Sequence, residues 1–230
     1  MSKIDSPKGT YNISKLNRPF VTVDILIFTI QDEELKTVLV KRKDLPFKEM
    51  WAIPGGFVKI DESLEEAATR ELVEETGIKD VYLEQLFTFG DPKRDPRGRV
   101  ITVSYFALIL SKDLSLTAST DAKEVKLFSV NELPPLAFDH QKIIDYAVER
   151  LKNKIGYSNI VFGLLPKRFR LSDLQKVYEI ILNKKLDKRN FRKKMLSLDL
   201  FKESGMEDRT GAHRPAMLYE FKKREVVFFD

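Results

Sequence analysis

A predicted helix over residues 63–76 carries carboxylates on the face that should be buried, and this feature constrains the chain more than any other. Ser63 and Glu66 form a capping-box pattern at its start, and Gly77 supplies a C-terminal stop. At about 100° per residue, one face combines apolar residues with two glutamates, namely Leu64, Ala67, Ala68, Glu71 and Glu75. Such a helix must pack against the fold and still accommodate buried charge.

Three glutamates on this helix, Glu71, Glu74 and Glu75, are candidate metal ligands. For a helix in general, a solvated acidic face is the simpler interpretation. Here two of them interrupt the apolar stripe, where like charges repel and unpaired burial is costly. A cation between them would remove both penalties. Ligation by oxygen alone suits Mg²⁺ or Mn²⁺ rather than zinc, and the chain has no cysteine and two histidines.

Apolar runs predict strands on both sides of this helix. The predicted strands cover residues 21–28, 37–41, 81–89, 100–110 and 125–130. A polar turn at 31–34 separates the first two strands, and a second amphipathic helix covers 139–152. Strands before and after a helix favour a mixed α/β sandwich.

Length and composition are those of a globular protein. Of the 230 residues, 43% are hydrophobic and 33% charged, which suits one large domain or two smaller ones and excludes collagen-like and disordered classes. No run of 18 apolar residues is present, which argues against a membrane-spanning helix. The first residues are polar and lack the apolar core of a signal peptide, so we expect a cytoplasmic protein with no membrane partner.

Charge divides the chain into two parts. Residues 151–230 contain 19 basic and 10 acidic side chains, a net charge of +9, whereas residues 1–150 carry −4. This split suggests an acidic site joined to a module with a polyanionic partner, although two solvated surfaces explain it equally well. In the basic part, a helix over 172–182 capped by Ser172 and a second helix beginning at Asp187 precede a strand–turn–strand pattern over 200–229. This order of elements describes a winged helix-turn-helix.

The second of these helices is the candidate DNA-reading element. Phe191, Met195 and Leu198 recur at core spacing, so the cations between them should point outward and contact phosphates. Asn190 is a candidate adenine reader, with phosphate contact or capping as equal alternatives. A solubilising appendage or a dimerisation element is the alternative for the whole module. The candidate DNA contacts are Lys188, Arg189, Asn190, Arg192, Lys193 and, at the hairpin tip, His213 and Arg214.

The region around the acidic helix resembles a complete Nudix box. The pattern is Gly56, five residues, Glu62, seven residues, then the run RELVEETGI beginning at Arg70, and every defining position is met. The chain is therefore similar to Nudix hydrolases. This resemblance implies a Nudix α/β/α sandwich with a mixed sheet and hydrolysis of a nucleoside diphosphate linked to another moiety. It also implies that Glu62 and Arg70 form an ion pair and that Gly56 and Gly77 are structural.

The same resemblance assigns the chemistry to the helix. Glu71, Glu74 and Glu75 would bind Mg²⁺ or Mn²⁺ and serve as catalytic residues, with the Gly55 carbonyl as an extra ligand. The metal would neutralise pyrophosphate charge and lower the pKa of an attacking water. The box leaves the general base open. Glu124 is the candidate, with a plain surface glutamate as the alternative.

The substrate is suggested by a basic loop before the strand at 100–110. Arg94, Arg97 and Arg99 are candidate clamps for phosphate or ribose, because arginine forks suit oxyanions. A solvated basic loop is the equal alternative. Residues 89–105 and 132–140 resemble Nudix proteins that act on or sense ADP-ribose, and His140 is expected to be a structural hydrogen-bonding residue.

The C-terminal module resembles the winged-helix half of Nudix-related transcriptional regulators, best known as repressors of NAD metabolism. The matching residues are 164–166, 174–175, 178–179, 186–192, 211–215 and 218–219. The resemblance implies that the Nudix half binds an effector such as ADP-ribose and that homodimers bind palindromic DNA operators. A related branch senses sugars. Many of these regulators have a degraded box, whereas the box is intact here.

These observations predict two domains, a Nudix domain at 1–155 and a winged helix-turn-helix at 156–230. We expect a DNA-binding transcriptional regulator whose Nudix domain binds, and hydrolyses with Mg²⁺, ADP-ribose or a similar nucleotide. The alternative from another class is a housekeeping ADP-ribose pyrophosphatase without a regulatory role. The intact carboxylates favour the enzyme, and the basic module favours the regulator.

Overall fold

The structure is a computed structural model that describes residues 17–77, 81–114, 116, 122–208 and 215–229. Within these residues, no helix is long and apolar enough to cross a lipid bilayer. The strands are β1 Phe20–Gln31, β2 Glu34–Arg42, β3 Trp51–Ala52, β4 Gly55–Phe57, β5 Leu83–Phe89, β6 Val100–Leu108, β7 Ala122–Ser129, β8 Phe201–Asp208 and β9 Ala216–Phe221. The helices are α1 Leu64–Thr76, α2 His140–Lys154, α3 Leu171–Leu182 and α4 Lys188–Ser197, with short 3-10 helices at Ser111–Asp113 and Ile160–Leu164.

Strands β1 to β7 form one mixed sheet. The main path runs β3-β2-β1-β6-β5, with β4 also paired to β1 and β7 also paired to β2. The central pair, β1 and β6, is parallel, and its neighbours β2, β4 and β5 are antiparallel. The predicted mixed sheet is therefore confirmed.

The central strand β1 is buried on both faces, which explains its continuous apolar run. Its alternate residues Val23, Ile25 and Ile27 join the core under α1, whereas Leu26 and Phe28 join the core under α2. One helix layer covers each face of the sheet. The predicted α/β/α sandwich is confirmed.

Several element boundaries differ from the predictions by a few residues. The first hairpin extends to Gln31 and Glu34, because Asp32 and Glu33 both adopt positive φ angles, 54° and 62°, as a two-residue hairpin turn requires. Strand β5 begins at Leu83 rather than residue 81, and β6 ends at Leu108 rather than residue 110.

The C-terminal unit has the predicted order of helix, helix and hairpin. Helix α4 begins after Asp187, whose carboxylate accepts the backbone N–H of Asn190 at 2.8 Å, as predicted for a cap. The expected Ser172 cap is wrong. Helix α3 begins one residue earlier, because the Asp173 carboxylate reaches back to the Arg170 backbone N–H at 3.0 Å.

The hairpin is shorter than predicted, and the chain beyond it returns to the linker. Strand β9 ends at Phe221. The segment that follows pairs with the linker after α2, where Asn159 exchanges two hydrogen bonds with Val227 at 2.7 and 3.1 Å. The predicted hairpin tip, 211–215, lies outside the described residues except for Pro215.

The sandwich and the C-terminal unit share one hydrophobic core. Buried residues of the sheet, such as Phe28, lie in the same cluster as Val161 of the second 3-10 helix and Tyr219 of β9. A Cβ at Gly163 would lie 2.6 Å from the Leu108 carbonyl oxygen, so only glycine permits this approach to the sheet. The two units therefore pack as a single body.

Candidate functional site

Capping residues at both ends of α1 fix where the helix begins and ends, and so which of its side chains face the sheet. Ser63 Oγ accepts the Glu66 backbone N–H at 3.1 Å, and the Glu66 carboxylate accepts the Ser63 backbone N–H at 2.7 Å. Gly77 ends the helix in the left-handed region with a φ of 68°. With both ends fixed, Glu71 and Glu75 are 8% and 4% exposed, which confirms the predicted burial of these carboxylates.

Two glycines of β4 allow the strand to approach these groups. A Cβ at Gly56 would lie 2.1 Å from Oε1 of Glu71, and a Cβ at Gly55 would lie 2.1 Å from the Val23 carbonyl oxygen. A side chain at position 56 would push β4 away from α1, and a side chain at position 55 would push it away from β1. The backbone of Gly56 is therefore held directly beside the Glu71 carboxylate, and that of Gly55 is held against β1.

Arg70 joins the loop after β4 to the carboxylates of α1. Its Nε and Nη2 donate to the two oxygens of Glu62 at 3.1 and 2.8 Å, which confirms the predicted ion pair. Hydrogen bonds from Arg70 and from the Lys59 backbone N–H lower the pKa of Glu62 to about 2. Arg70 Nη1 also lies 2.6 Å from Glu71 Oε1 and 3.5 Å from Glu74 Oε1.

The charge on Glu71 is costly in this environment. Burial raises the pKa of its carboxyl group, Arg70 lowers it, and the neighbouring Glu74 and Glu62 raise it further. No three acidic or histidine side chains of the described chain converge as a metal-binding cluster. The donors available are nevertheless hard oxygens beside a close-packed backbone, and a divalent cation would stabilise the ionised form of Glu71. The donor set fits a hard divalent cation.

These groups open onto a cavity of about 570 Å³ between α1, the sheet and the loop before β6. The size is within the range usual for small-molecule sites. Its walls are strongly charged. The charged and aromatic lining residues include Asp24, Arg42, Phe57, Arg70, Glu71, Glu74, Glu75, Arg94, Asp95, Arg97, Phe138 and His140.

The three arginines predicted to bind substrate have different environments. Arg94 is buried and pairs with Asp139 through two hydrogen bonds of 2.8 and 3.1 Å, so it ties the loop to the start of α2. Arg97 also lines the cavity and pairs with Asp95 at 2.7 Å. Arg99 is exposed outside the cavity lining and donates to the Gly90 carbonyl, so its role in substrate binding stays a prediction.

The candidate general base lies outside this cavity, and its role stays a prediction. Glu124 lies on β7, where the register places it opposite Lys41, and it is not part of the cavity lining. Its ion pair with Lys126 lowers its pKa. His140 has the structural role expected of it, since it is buried and its Nδ1 accepts the Ile53 backbone N–H at 2.8 Å.

Two cavity residues escaped the sequence analysis. Asp24 interrupts the apolar run of β1, and a buried carboxylate in a central strand was a usable signal for a site. Arg42 ends β2 and carries no comparable signal, because basic residues are common where a strand leaves the sheet. Its position in the cavity depends on the loop that follows it.

The C-terminal unit presents a basic helix surface. Phe191 and Met195 of α4 are buried against α3, as predicted. The cations of α4 that were predicted to point outward, Lys188, Arg189, Arg192 and Lys193, are all exposed, and so is Asn190. Since Asp187 supplies the cap, capping is not the role of the Asn190 side chain. His213 and Arg214 lie outside the described residues.

The turn between α3 and α4 is held by two side chains of α3. Glu179 accepts the Leu186 backbone N–H at 3.0 Å, and Gln175 donates to the Leu186 carbonyl at 2.9 Å. Gln175 also donates to Glu179 at 2.9 Å, so the two side chains support each other. They fix the angle at which α4 is presented.

Comparisons with known proteins agree with this architecture. Residues 19–147 match the family model of the NUDIX domain, and residues 161–221 match that of the NrtR DNA-binding winged helix domain. The "ADPR responsive transcriptional repressor NtrR" of Acinetobacter baylyi is 39% identical over 222 residues, which cover 95% of this chain and 88% of that protein. The chain belongs to the NrtR family of Nudix-related regulators.

Solved structures of this family support the assignment. NrtR of Shewanella oneidensis, crystallised with a 27mer DNA, matches with a TM-score of 0.79 at 39% identity, covering 88% of this chain and 93% of that chain. Its NUDIX domain, crystallised with ADP ribose, matches with a TM-score of 0.56 at 39% identity and covers 61% of this chain and 94% of that one.

The NUDIX part also has a relative outside the NrtR family. The ADP-ribose pyrophosphatase of Methanocaldococcus jannaschii is 45% identical over 129 residues, which cover 56% of this chain and 73% of that protein. The similarity to NrtR proteins extends through the winged helix as well. It favours the regulator over the housekeeping enzyme.

Proposed function

We propose that this chain is an ADP-ribose-responsive transcriptional repressor, in which the Nudix cavity binds ADP-ribose and the winged helix binds operator DNA. The observation that carries the proposal is the match of both modules, in the same order, to a repressor of that description over 95% of this chain. The genes it controls are proposed to be those of NAD metabolism.

The DNA-binding role is assigned to α4 and the hairpin. The exposed cations of α4 are suited to phosphate contacts, which supply affinity but little sequence discrimination. Asn190 is the residue of α4 whose exposed amide matches the edge of adenine. We assign two winged helices of a homodimer to the two halves of a palindromic operator. The proposed domains are 1–155 and 156–230.

Binding of ADP-ribose is assigned to the cavity beside α1. Its charged walls suit a ligand that carries a diphosphate and two riboses, and a cavity of about 570 Å³ is large enough for a nucleotide of that size. Repression would respond to the ligand through a coupling free energy, because ADP-ribose would favour one arrangement of the dimer over the other.

A second activity, hydrolysis of ADP-ribose, is supported by the complete Nudix box. Glu71, Glu74 and Glu75 with the Gly55 carbonyl would hold Mg²⁺ or Mn²⁺, which when bound supplies charge neutralisation and an acidified water. Arg70 and Glu62 would hold the loop and helix in register. The hydrolytic activity is proposed beside the regulatory one, not in place of it.

The test is a mobility shift of the purified chain with its own promoter region, with and without ADP-ribose. EDTA is included so that hydrolysis cannot destroy the ligand. We expect a specific shift that ADP-ribose alters. AMP at the same concentration serves as the control for a general nucleotide effect.

A specific shift that ADP-ribose leaves unchanged would contradict ADP-ribose as the effector while keeping the repressor. The absence of a specific shift at moderate salt, on this promoter and on other candidate operators, would contradict the repressor itself.

A further inference from the structure

A guanidinium outside the Nudix box faces the same cavity. Arg42 is the last residue of β2, and its Nε donates to the Pro46 carbonyl at 2.8 Å. Its Nη2 lies 3.5 Å from the Asp44 carbonyl. Both acceptors are backbone groups of the loop after β2, and within the described residues no carboxylate forms an ion pair with Arg42.

An aromatic ring holds Arg42 close to a second guanidinium. The Arg42 Cζ lies 4.9 Å from the centre of the Phe138 ring, and the Arg97 Cζ lies 5.5 Å from the same centre. Phe47, from the loop after β2, packs edge-on against Phe138 at 4.8 Å. Two planar cations are thus positioned around one ring.

Nearby carboxylates balance the charge of Arg42 only in part. Burial lowers its pKa, and the nearby Arg97 lowers it further, while Asp95 and Asp44 partly offset this. A partly buried cation beside another cation is costly unless an anion approaches it. The Asp95 carboxylate already accepts hydrogen bonds from the guanidinium and the backbone N–H of Arg97. An anionic ligand in the cavity would supply the counter-charge that Asp95 and Asp44 provide only in part.

Different charged groups have the main influence on Arg42 and on the carboxylates of α1. The groups that act on the pKa of Glu71 are Arg70, Glu74 and Glu62. The charged groups with the main influence on the pKa of Arg42 are Arg97, Asp95 and Asp44. One cavity is thus lined both by the glutamates of α1 and by the guanidinium groups of Arg42 and Arg97.

We infer that Arg42, assisted by Arg97, is a phosphate-binding residue that holds the diphosphate of the nucleotide ligand without a metal ion. A guanidinium fork matches two phosphate oxygens, and the Phe138 ring and the loop carbonyls hold that fork in place. Sensing of the ligand then depends on Arg42, whereas hydrolysis depends on the carboxylates of α1. The inference rests on the proposed binding of ADP-ribose.

The experiment is isothermal titration calorimetry on the full chain in EDTA. The ligands are ADP-ribose, AMP and adenosine, and the variants are Arg42→Ala, Arg42→Lys and Arg150→Ala. The last is the matched control, since Arg150 is an exposed arginine of α2 outside the cavity.

We expect the wild-type chain and Arg150→Ala to bind ADP-ribose in EDTA with equal affinity. Loss of a charge-assisted contact should weaken binding by Arg42→Ala about 10- to 100-fold. Arg42→Lys keeps the charge but loses the fork, so its affinity should fall between the two. Adenosine, which lacks phosphate, should bind the wild-type chain at least about 10-fold more weakly than ADP-ribose.

Three results would overturn the inference while leaving the proposed function intact. They are equal affinity of wild-type and Arg42→Ala for ADP-ribose, binding by the wild-type chain only after Mg²⁺ is added, and equal affinity of the wild-type chain for adenosine and ADP-ribose. The last two need no variant, so they decide the matter even if Arg42→Ala does not fold. Absence of ADP-ribose binding with and without Mg²⁺ would instead contradict the proposed function.

Discussion

At the scale of single residues, Glu71 shows how a functional group can oppose stability. Burial raises its pKa, so the folded chain holds this carboxyl group less readily in its charged form than the unfolded chain does. Above the ordinary pKa of a glutamate, the charged form therefore costs folding free energy. Such a cost is typical of a group retained for chemistry.

Replacement of Glu71 or Glu75 by Gln should abolish Mg²⁺-dependent hydrolysis of ADP-ribose. We expect a loss of at least about 10- to 100-fold, the range seen when even a supporting group of a metal site is removed. Because Gln carries no charge, the Tm of Glu71→Gln should be equal to or higher than that of wild type. Turnover and thermal melts would measure both effects.

Glu65→Gln is the matched control, since Glu65 is an exposed carboxylate in the first turn of the same helix. Full activity in Glu71→Gln would remove this residue from the proposed mechanism. A loss of activity in Glu65→Gln of the same size would show that the effect is not specific to the buried carboxylates.

At the scale of secondary-structure elements, the turn between α3 and α4 decides how the basic helix is presented. The Leu186 backbone N–H, Gln175 and Lys185 all donate to the Glu179 carboxylate, and these contacts lower its pKa to about 2. A depressed pKa means that Glu179 stabilises the fold above its ordinary value near 4.5 and loses this effect as the pH falls through about 2.

Glu179→Ala should therefore lower both stability and DNA affinity. We expect a loss of about 1 kcal/mol from the hydrogen bonds at the turn, which corresponds to a Tm lower by about 2–4 °C in a chain of this size. Melts at pH 7 and at pH 3 should differ less for the variant than for wild type. Mobility shifts would measure the affinity for the promoter.

The control for this prediction is Glu149→Ala, which removes an exposed carboxylate of α2. Equal melting temperatures and equal DNA affinities for Glu179→Ala and wild type would mean that the turn is held without this residue.

At the scale of the whole molecule, the shared core joins the sensor to the DNA-binding unit. Gly163 contacts the Leu108 backbone, and Lys176 of α3 pairs with Glu33 of the first hairpin at 2.7 Å. Arg224 donates to the carbonyls of Phe162 and Leu165 at 2.7 and 3.1 Å, which fixes the linker from the other side. Independent motion of the two units would require opening this core.

The shared core predicts a single cooperative unfolding transition by calorimetry. Gly163→Ala would force the linker away from Leu108, and overpacking of this kind costs about 1–3 kcal/mol. The single transition should therefore move to lower temperature as a whole. The control is Gly90→Ala, where a Cβ would meet nothing closer than 3.8 Å. Two separate transitions in the wild-type chain would contradict the shared core.

The sequence by itself determined the features that depend on short-range periodicity. The spacing of Glu71 and Glu75 from Ala67 and Ala68 placed both carboxylates on the buried face, because a helix repeats every 3.6 residues. The Nudix box, the cap at Asp187 and the order of helix, helix and hairpin were equally readable, since each is a local pattern. The mixed sandwich followed from the order of strands and helices.

Only the tertiary structure decided which distant side chains meet. Arg94 pairs with Asp139, which lies 45 positions away in the sequence. The sheet topology brings these two residues together. Glu124 lies outside the cavity because the register of β7 against β2 places it opposite Lys41. Arg42 lines the cavity, where the following loop and Phe138 hold it. Register and packing are set by the whole core, and no local pattern in the sequence encodes them.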